Sequence, residues 1–230
     1  MQSHYADRRQ VLYQVIGDTR EIHTDGVDYS ILRVNPDCDK QILELTELGY
    51  VFHDRLFLME IPIASTREKR HETAKRVLDF SLIVDEPLSD DIYALAQRAF
   101  PTDRRFHLDQ LFHKENADAI IQSYLAHYEN MEIITLRIRR EKELLGFTLL
   151  HRVTEDTYEN VLGATKPGIA GKMIAWPLYN GMLNFIDSKG GLRYLGRVSA
   201  ANAASITLHM QLGAKIREIY DEYICRFNLQ

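Results

Sequence analysis

Apolar and polar positions along the chain alternate between two periods. Gln10–Ile16 and Tyr29–Val34 are short runs rich in β-branched and aromatic residues. Gly17-Asp18 and Asn35-Pro36-Asp37 bound them, and they predict strands. Asp37 is placed to cap a helix over Gln41–Leu48, with Ile42, Leu45 and Leu48 on one stripe and Gly49 as its stop. Tyr50–His53 and Arg55–Ile61 read as a hairpin. Ala64–Glu72 is a charged run with little that is apolar, and it predicts a boundary. Beyond it Val77–Val84 restarts the strand pattern. A helix is predicted over Asp90–Phe100, with Asp90 and Asp91 in its first turn, where negative charge suits the helix dipole. Thr102–Asp109 is polar. Ala117–Tyr128 carries Ile120, Ile121, Tyr124 and Leu125 at helical spacing. Glu132–Ile138 and Leu144–Val153 predict a hairpin around the charged turn Arg139–Glu143.

The stretch around which these elements are organised comes next. Tyr158–Gly163 is strand-like. Thr165-Lys-Pro-Gly-Ile-Ala-Gly-Lys-Met-Ile-Ala175 follows, and then Ile174, Leu178, Met182 and Phe185 recur at helical spacing as far as Lys189-Gly190-Gly191. A strand, a glycine-containing turn and a helix in that order make an anion site from backbone N–H groups and the helix dipole. The same order also serves as a buried crossover that binds nothing, and the stretch alone leaves both readings open. Leu192–Val198 predicts a strand, Ser199–Gly213 a capped helix, and Lys215–Asn228 a final strand with Ile216, Ile219, Tyr223 and Cys225 in near alternation.

Composition narrows the function classes. In 230 residues, 45% are hydrophobic and 27% charged, as expected of a globular chain with a real core. A net charge of −5 argues against nucleic-acid binding. The apolar runs are too short to span a bilayer, and the polar start lacks the apolar stretch of a secretory signal. Cys38 and Cys225 are the only cysteines, which suits two reduced thiols in a cytoplasmic protein, and no histidine pair has zinc-ligand spacing. A Walker-type phosphate loop is excluded. Gly171-Lys172 lacks both the earlier glycine and the following Ser or Thr.

From Val77 onward the predicted order is strand, two helices, three strands, helix, strand, helix, strand. That order resembles the GNAT acyl-CoA N-acyltransferase superfamily. Thr165-x-Pro167-x-x-Ala170-Gly171-Lys172-Met173-Ile174-Ala175 is similar to its acyl-CoA motif, V-x-P-x-x-R/Q-G-x-G-x-G/A. Asn202, His209 and Leu212-Gly213-Ala214 resemble its second signature, in which a Tyr stands seven residues after the Asn. Met173 replaces a preferred Gly, and Ala170 a preferred Arg or Gln. Ile42–Tyr50 and Leu56–Pro62, with the Arg105-Phe106 pair, resemble the dTDP-fucosamine (4-amino-6-deoxysugar nucleotide) N-acetyltransferases.

The resemblance implies an α/β (α+β) fold: a GNAT-like mixed sheet flanked by helices over residues 73–230, with a small α/β unit over 1–63. It implies transfer of an acetyl group from acetyl-CoA to the amine of a nucleotide-linked amino sugar. Another small amine or peptide acceptor, or a degenerate ligand-binding module, is the alternative. Gly163, Ala164, Thr165 and Asn202 would line the pantetheine arm. The N–H groups of Gly171, Lys172, Met173, Ile174 and Ala175 would hold the diphosphate. Arg105, Phe106 and Asp109 would bind the acceptor, since Arg suits a diphosphate and an aromatic suits a base or sugar face. His209, at the tyrosine position, would donate to the departing thiolate and fade as a donor as pH rises. Glu159, His151 and Asp109 are candidate proton acceptors. Trp176 and Tyr179 are expected to pack in the core or against the front unit. A homodimer through exposed sheet or helices is one open expectation, and no metal is implied.

Overall fold

The computed structural model describes residues 2–3, 11–15, 29–68, 81–84, 88–99, 125 and 133–226. Their elements are β1 (Gln2–Ser3), β2 (Val11–Val15), β3 (Tyr29–Val34), α1 (Asp39–Glu47), β4 (Val51–Pro62), β5 (Ser81–Val84), α2 (Asp90–Ala99), β6 (Ile133–Arg140), β7 (Glu143–Arg152), β8 (Thr157–Thr165), α3 (Ile169–Ser188), β9 (Arg193–Ser199), α4 (Ala203–Gln211) and β10 (Lys215–Arg226). The polar segment 102–109 lies outside the described residues. So does the predicted helix 117–128 except for helical, buried Leu125.

The strands form one sheet in the order β1-β2-β3-β10-β4-β9-β8-β7-β6-β5. It is mixed: β2 with β3 and β8 with β9 run parallel, and the remaining neighbours are antiparallel. The predicted hairpin over 50–61 is instead one twelve-residue strand, β4. His53 and Asp54, where the two predicted strands meet, both have side chains buried within it. β4 pairs with β10 on one side and β9 on the other. A strand from the front of the chain therefore stands near the middle of the sheet. Arg55 holds it to β10 through a two-pronged pair with Asp221, at 2.6 and 2.8 Å.

Both faces of β7 are covered, so its residues 144–150 are buried without alternation. Phe147 and Leu149 meet Ile92, Leu95 and Ala96 of α2. Residues of opposite parity face α3. A Cβ on Gly146 would lie 3.2 Å from Ile174, and the Thr148 hydroxyl is 3.8 Å from the Met182 sulfur. The expected stripe of α3 is the buried one, at Ile174, Leu178 and Met182. α1 lays Leu45 on Leu32, Val34 and Tyr223. Cys38 precedes α1 without a capping side-chain bond, while Asp37 donates its N–H to Asn35 Oδ1. Asp37 is thus part of the preceding turn, not the cap. Gly49, at φ 85°, closes α1, as Gly213, at φ 88°, closes α4. Among the described residues, no helix is long and apolar enough to cross a membrane. No group of three potential metal ligands occurs among them either.

Candidate active site

The site arises where two parallel strands part. β8 and β9 pair from Thr157↔Arg193 to Asn160↔Gly196 and no further. Past that point β8 stays on β7 as far as Thr165↔Gly146, and β9 stays on β4 as far as Ser199↔Leu56. The β7–β8 register slips between Leu149↔Leu162 and Leu150↔Asn160, which leaves Val161 as a bulge. The slip bends β8 away from β9. The cleft between them is lined by Asn160–Gly163, Gly196–Ser199, Tyr179, Tyr194, Asn202, Ser205 and His209.

β8 leads through Lys166-Pro167-Gly168 into the N-terminus of α3. Gly168 caps it at φ 93° with nothing within 4 Å of a Cβ built there, so the approach is open. In a helix starting at Ile169, the N–H groups of Met173, Ile174 and Ala175 are committed to carbonyls four residues back. The uncommitted ones belong to Gly168, Ile169, Ala170 and Gly171. The uncommitted N–H groups therefore lie about one turn before those that the resemblance implies, with Gly171 common to both sets. Met173 is 55% exposed, pointing out from the first turns. The Ile174 side chain is in the core with Ile138, Leu145 and Leu178. Gly163 is on the cleft wall, whereas Ala164 turns its side chain into the α2 core. Asn202 is the N-cap of α4, accepting from the Ser205 N–H at 3.0 Å, and it also faces the cleft. Arg105, Phe106 and Asp109 lie outside the described residues.

His209 is 1% exposed and sits between two tyrosines. Its Nδ1–H donates to the Ser205 carbonyl at 2.8 Å, which fixes the tautomer. Nε2 is then an acceptor, and the Tyr194 hydroxyl donates to it at 3.0 Å. Burial holds its pKa below the ordinary histidine value. The expected acid at 209 is therefore a neutral, fully bonded ring, and the hydroxyls beside it come from Tyr194 and Tyr179. Asn160 Nδ2 donates to Tyr179 Oη at 3.1 Å, and Thr148 Oγ1 donates to Asn160 Oδ1 at 3.0 Å. Tyr179 stacks edge-on against His209, with centroids 5.1 Å apart. None of Thr148, Asn160, Tyr179, Tyr194 or Gly196 was singled out for the site by pattern. Two signals were present: polar Asn160 in an apolar strand, and Tyr194-x-Gly196 in β9.

The buried ring has a consequence for stability. A histidine that resists protonation in the folded state lets the unfolded chain take up the proton first. Stability is complete above the unfolded pKa of about 6.5 and falls as pH drops through and below it. Thermal melts of the wild type are expected to fall by about 2–4 °C between about pH 6.5 and pH 5.5 from this group. In His209→Gln that part of the loss should vanish. An equal pH dependence in the variant would show that His209 does not cause it.

The other face of the parting strands carries charge. Glu159, 15% exposed, pairs with Arg197 across the β8–β9 junction. Strand alternation puts both on the face opposite Asn160, and Glu159 stands beside His151 in the register.

No protein-family model matches the sequence, and no curated protein matches it. Solved structures do match in shape. A protein of unknown function from Staphylococcus epidermidis is 12% identical with a TM-score of 0.62, over 98% of this chain and 86% of that one. A GCN5-related N-acetyltransferase from Sphaerobacter thermophilus is 12% identical with a TM-score of 0.55, over 88% of this chain and 61% of that one. A tandem GNAT protein from the clavulanic acid biosynthesis pathway is 10% identical with a TM-score of 0.53, over 89% of this chain and 66% of that one. The chain therefore spans under two thirds of each of these last two proteins. With its bulged β8, its splayed β9 and the helix that follows β8, this chain has the fold of the GNAT acetyltransferases.

Proposed function

We propose that the protein transfers an acetyl group from acetyl-CoA to an amine. The carrying observation is the parting of β8 and β9 directly before the open N-terminus of α3. The parted strands leave a cleft for a pantetheine arm, and the helix end offers N–H groups and a positive dipole to its diphosphate. A backbone N–H of β8 near Gly163, on the cleft wall, is a preorganised donor for the oxyanion. A neutral amine attacks the thioester carbon and the N–C bond forms. One amine proton leaves to Glu159, directly or through water, and the C–S bond breaks with its electron pair on sulfur. The sulfur then takes a proton, so the products are an amide and a free thiol. Arg197 beside Glu159 orients that carboxylate.

The acceptor follows from the resemblance of Ile42–Tyr50, Leu56–Pro62 and Arg105-Phe106: the amine of a nucleotide-linked amino sugar, held by Arg105, Phe106 and Asp109. The test is calorimetry with acetyl-CoA, followed by turnover on a panel of amino-sugar nucleotides, polyamines and peptide N-termini. Wild type is expected to bind in the micromolar range, typical of enzyme substrates. Met173→Gly should bind within about threefold of it, because that side chain already points to solvent. No binding by the wild type, with binding gained in Met173→Gly, would instead identify a phosphate site closed by Met173 and remove acyl transfer. No binding by either would overturn the reading of the site.

A further inference from the structure

We infer that the Tyr179 hydroxyl is the group that meets the departing sulfur, and that Tyr194 and His209 are positioning residues behind it. The inference rests on the acetyl-CoA reading and names which side chain serves that step. The His209 Nδ1–H is spent on the Ser205 carbonyl, and the Tyr194 hydrogen is spent on Nε2. Asn160 directs its Oδ1 at Thr148 and its Nδ2 at Tyr179. Tyr179 packs edge-on against both of these rings, with centroids 6.4 Å from Tyr194 and 5.1 Å from His209. Its O–H can turn about the C–O bond toward a ligand atom in the cleft. It is also the accessible one. Tyr194 is 0% and His209 1% exposed, while Tyr179 is half-buried on the cleft wall.

Asn160 donates to Tyr179 Oη and so favours negative charge on that oxygen, which makes its hydrogen a better donor. His209 keeps Tyr194 from competing as a donor. As the C–S bond breaks, sulfur keeps the electron pair and accepts the Tyr179 O–H bond. The proton that completes the thiol comes from water in the open cleft. The charged groups nearest by register, Glu159, Arg197 and His151, are on the opposite face of the sheet.

The test uses CoA itself as the probe, because it carries the free sulfur. The thiol of CoA bound to the full chain is titrated by its ultraviolet thiolate absorbance, in the wild type, Tyr179→Phe and Tyr194→Phe. A hydrogen bond to the charged form lowers a pKa. The bound thiol of the wild type is expected to ionise about one unit below that of free CoA, and the thiol bound to Tyr179→Phe within about 0.3 unit of free CoA. Tyr194→Phe should keep the lowered value, because Tyr179 keeps its hydroxyl and its bond from Asn160. A second measurement compares CoA with desulfo-CoA by calorimetry above the bound thiol's pKa. A preference of about tenfold or more for CoA should disappear in Tyr179→Phe. CoA binding with the same thiol pKa in the wild type and Tyr179→Phe would overturn the role of Tyr179 and leave the CoA site standing. A wild type that binds no CoA would overturn the site reading and the inference together.

Discussion

A chain lacking residues 1–63 is expected not to fold. β10 pairs with β3 and β4, and both lie within the deleted part. Without them a twelve-residue strand has no neighbour, and β9 loses the one that holds it apart from β8. The loss also reaches the core. Met59, Ile61 and Ile63 are at most 1% exposed and pack in the cluster that holds Tyr194, Val198 and Leu212. Truncating one such side chain to Ala costs about 2–5 kcal/mol, so losing three approaches the whole stability of a typical domain, about 5–15 kcal/mol. The buried Asp221 would also lose Arg55. A fragment of residues 73–230 should show no cooperative melt and rapid proteolysis. Addition of separately expressed 1–68 should restore a cooperative transition. A sharp melt by the fragment alone would show that the front strands decorate a self-sufficient sheet.

That expectation marks how far the sequence was legible. Local pattern reached most elements: Ile174, Leu178 and Met182 on α3 and the glycine stops at Gly49 and Gly213 appear as read, and the hairpin read over Glu132–Val153 appears with a shorter turn. The order of strands in the sheet did not appear, because the period of Arg55–Ile61 carries no information about its neighbours. The break expected between His53 and Arg55 does not occur, and His53 and Asp54 are buried in one strand instead. Their burial depends on strands far away in sequence. The same limit governs the site. Motif spacing located the turn into α3 and the position of His209. It could not show that His209 is sealed with both ring nitrogens bonded, because Tyr194 and Tyr179 reach it only through the packing of α3 and β9. The resemblance likewise placed the phosphate cradle on Gly171–Ala175. The observed start of α3 at Ile169 moves the uncommitted N–H groups earlier.

The second large effect is expected at Gly196. It is the last residue of β9 that still pairs with β8, so its side-chain position looks into the start of the cleft. A Cβ built there would lie 2.7 Å from Tyr194 Oη and 3.0 Å from His209 Nε2, the two atoms whose own bond is 3.0 Å long. Neither partner has room to give way except into the cleft. Tyr194 is fully buried, and His209 is pinned by Ser205. Gly196→Ala is therefore expected to lower stability by about 1–3 kcal/mol, the usual cost of overpacking. It should also weaken acetyl-CoA binding by about tenfold or more, since the displaced rings have only the cleft to move into. Removing the hydroxyl separates sterics from any general effect of losing a glycine. In Gly196→Ala/Tyr194→Phe the nearest atom is gone, and stability should return to within about 0.5 kcal/mol of Tyr194→Phe alone. Thermal melts of the four proteins of that cycle, with calorimetry on each, decide it. Additive losses would mean that the methyl and the hydroxyl do not meet, and that the Tyr194–His209 contact is looser than its 3.0 Å distance implies.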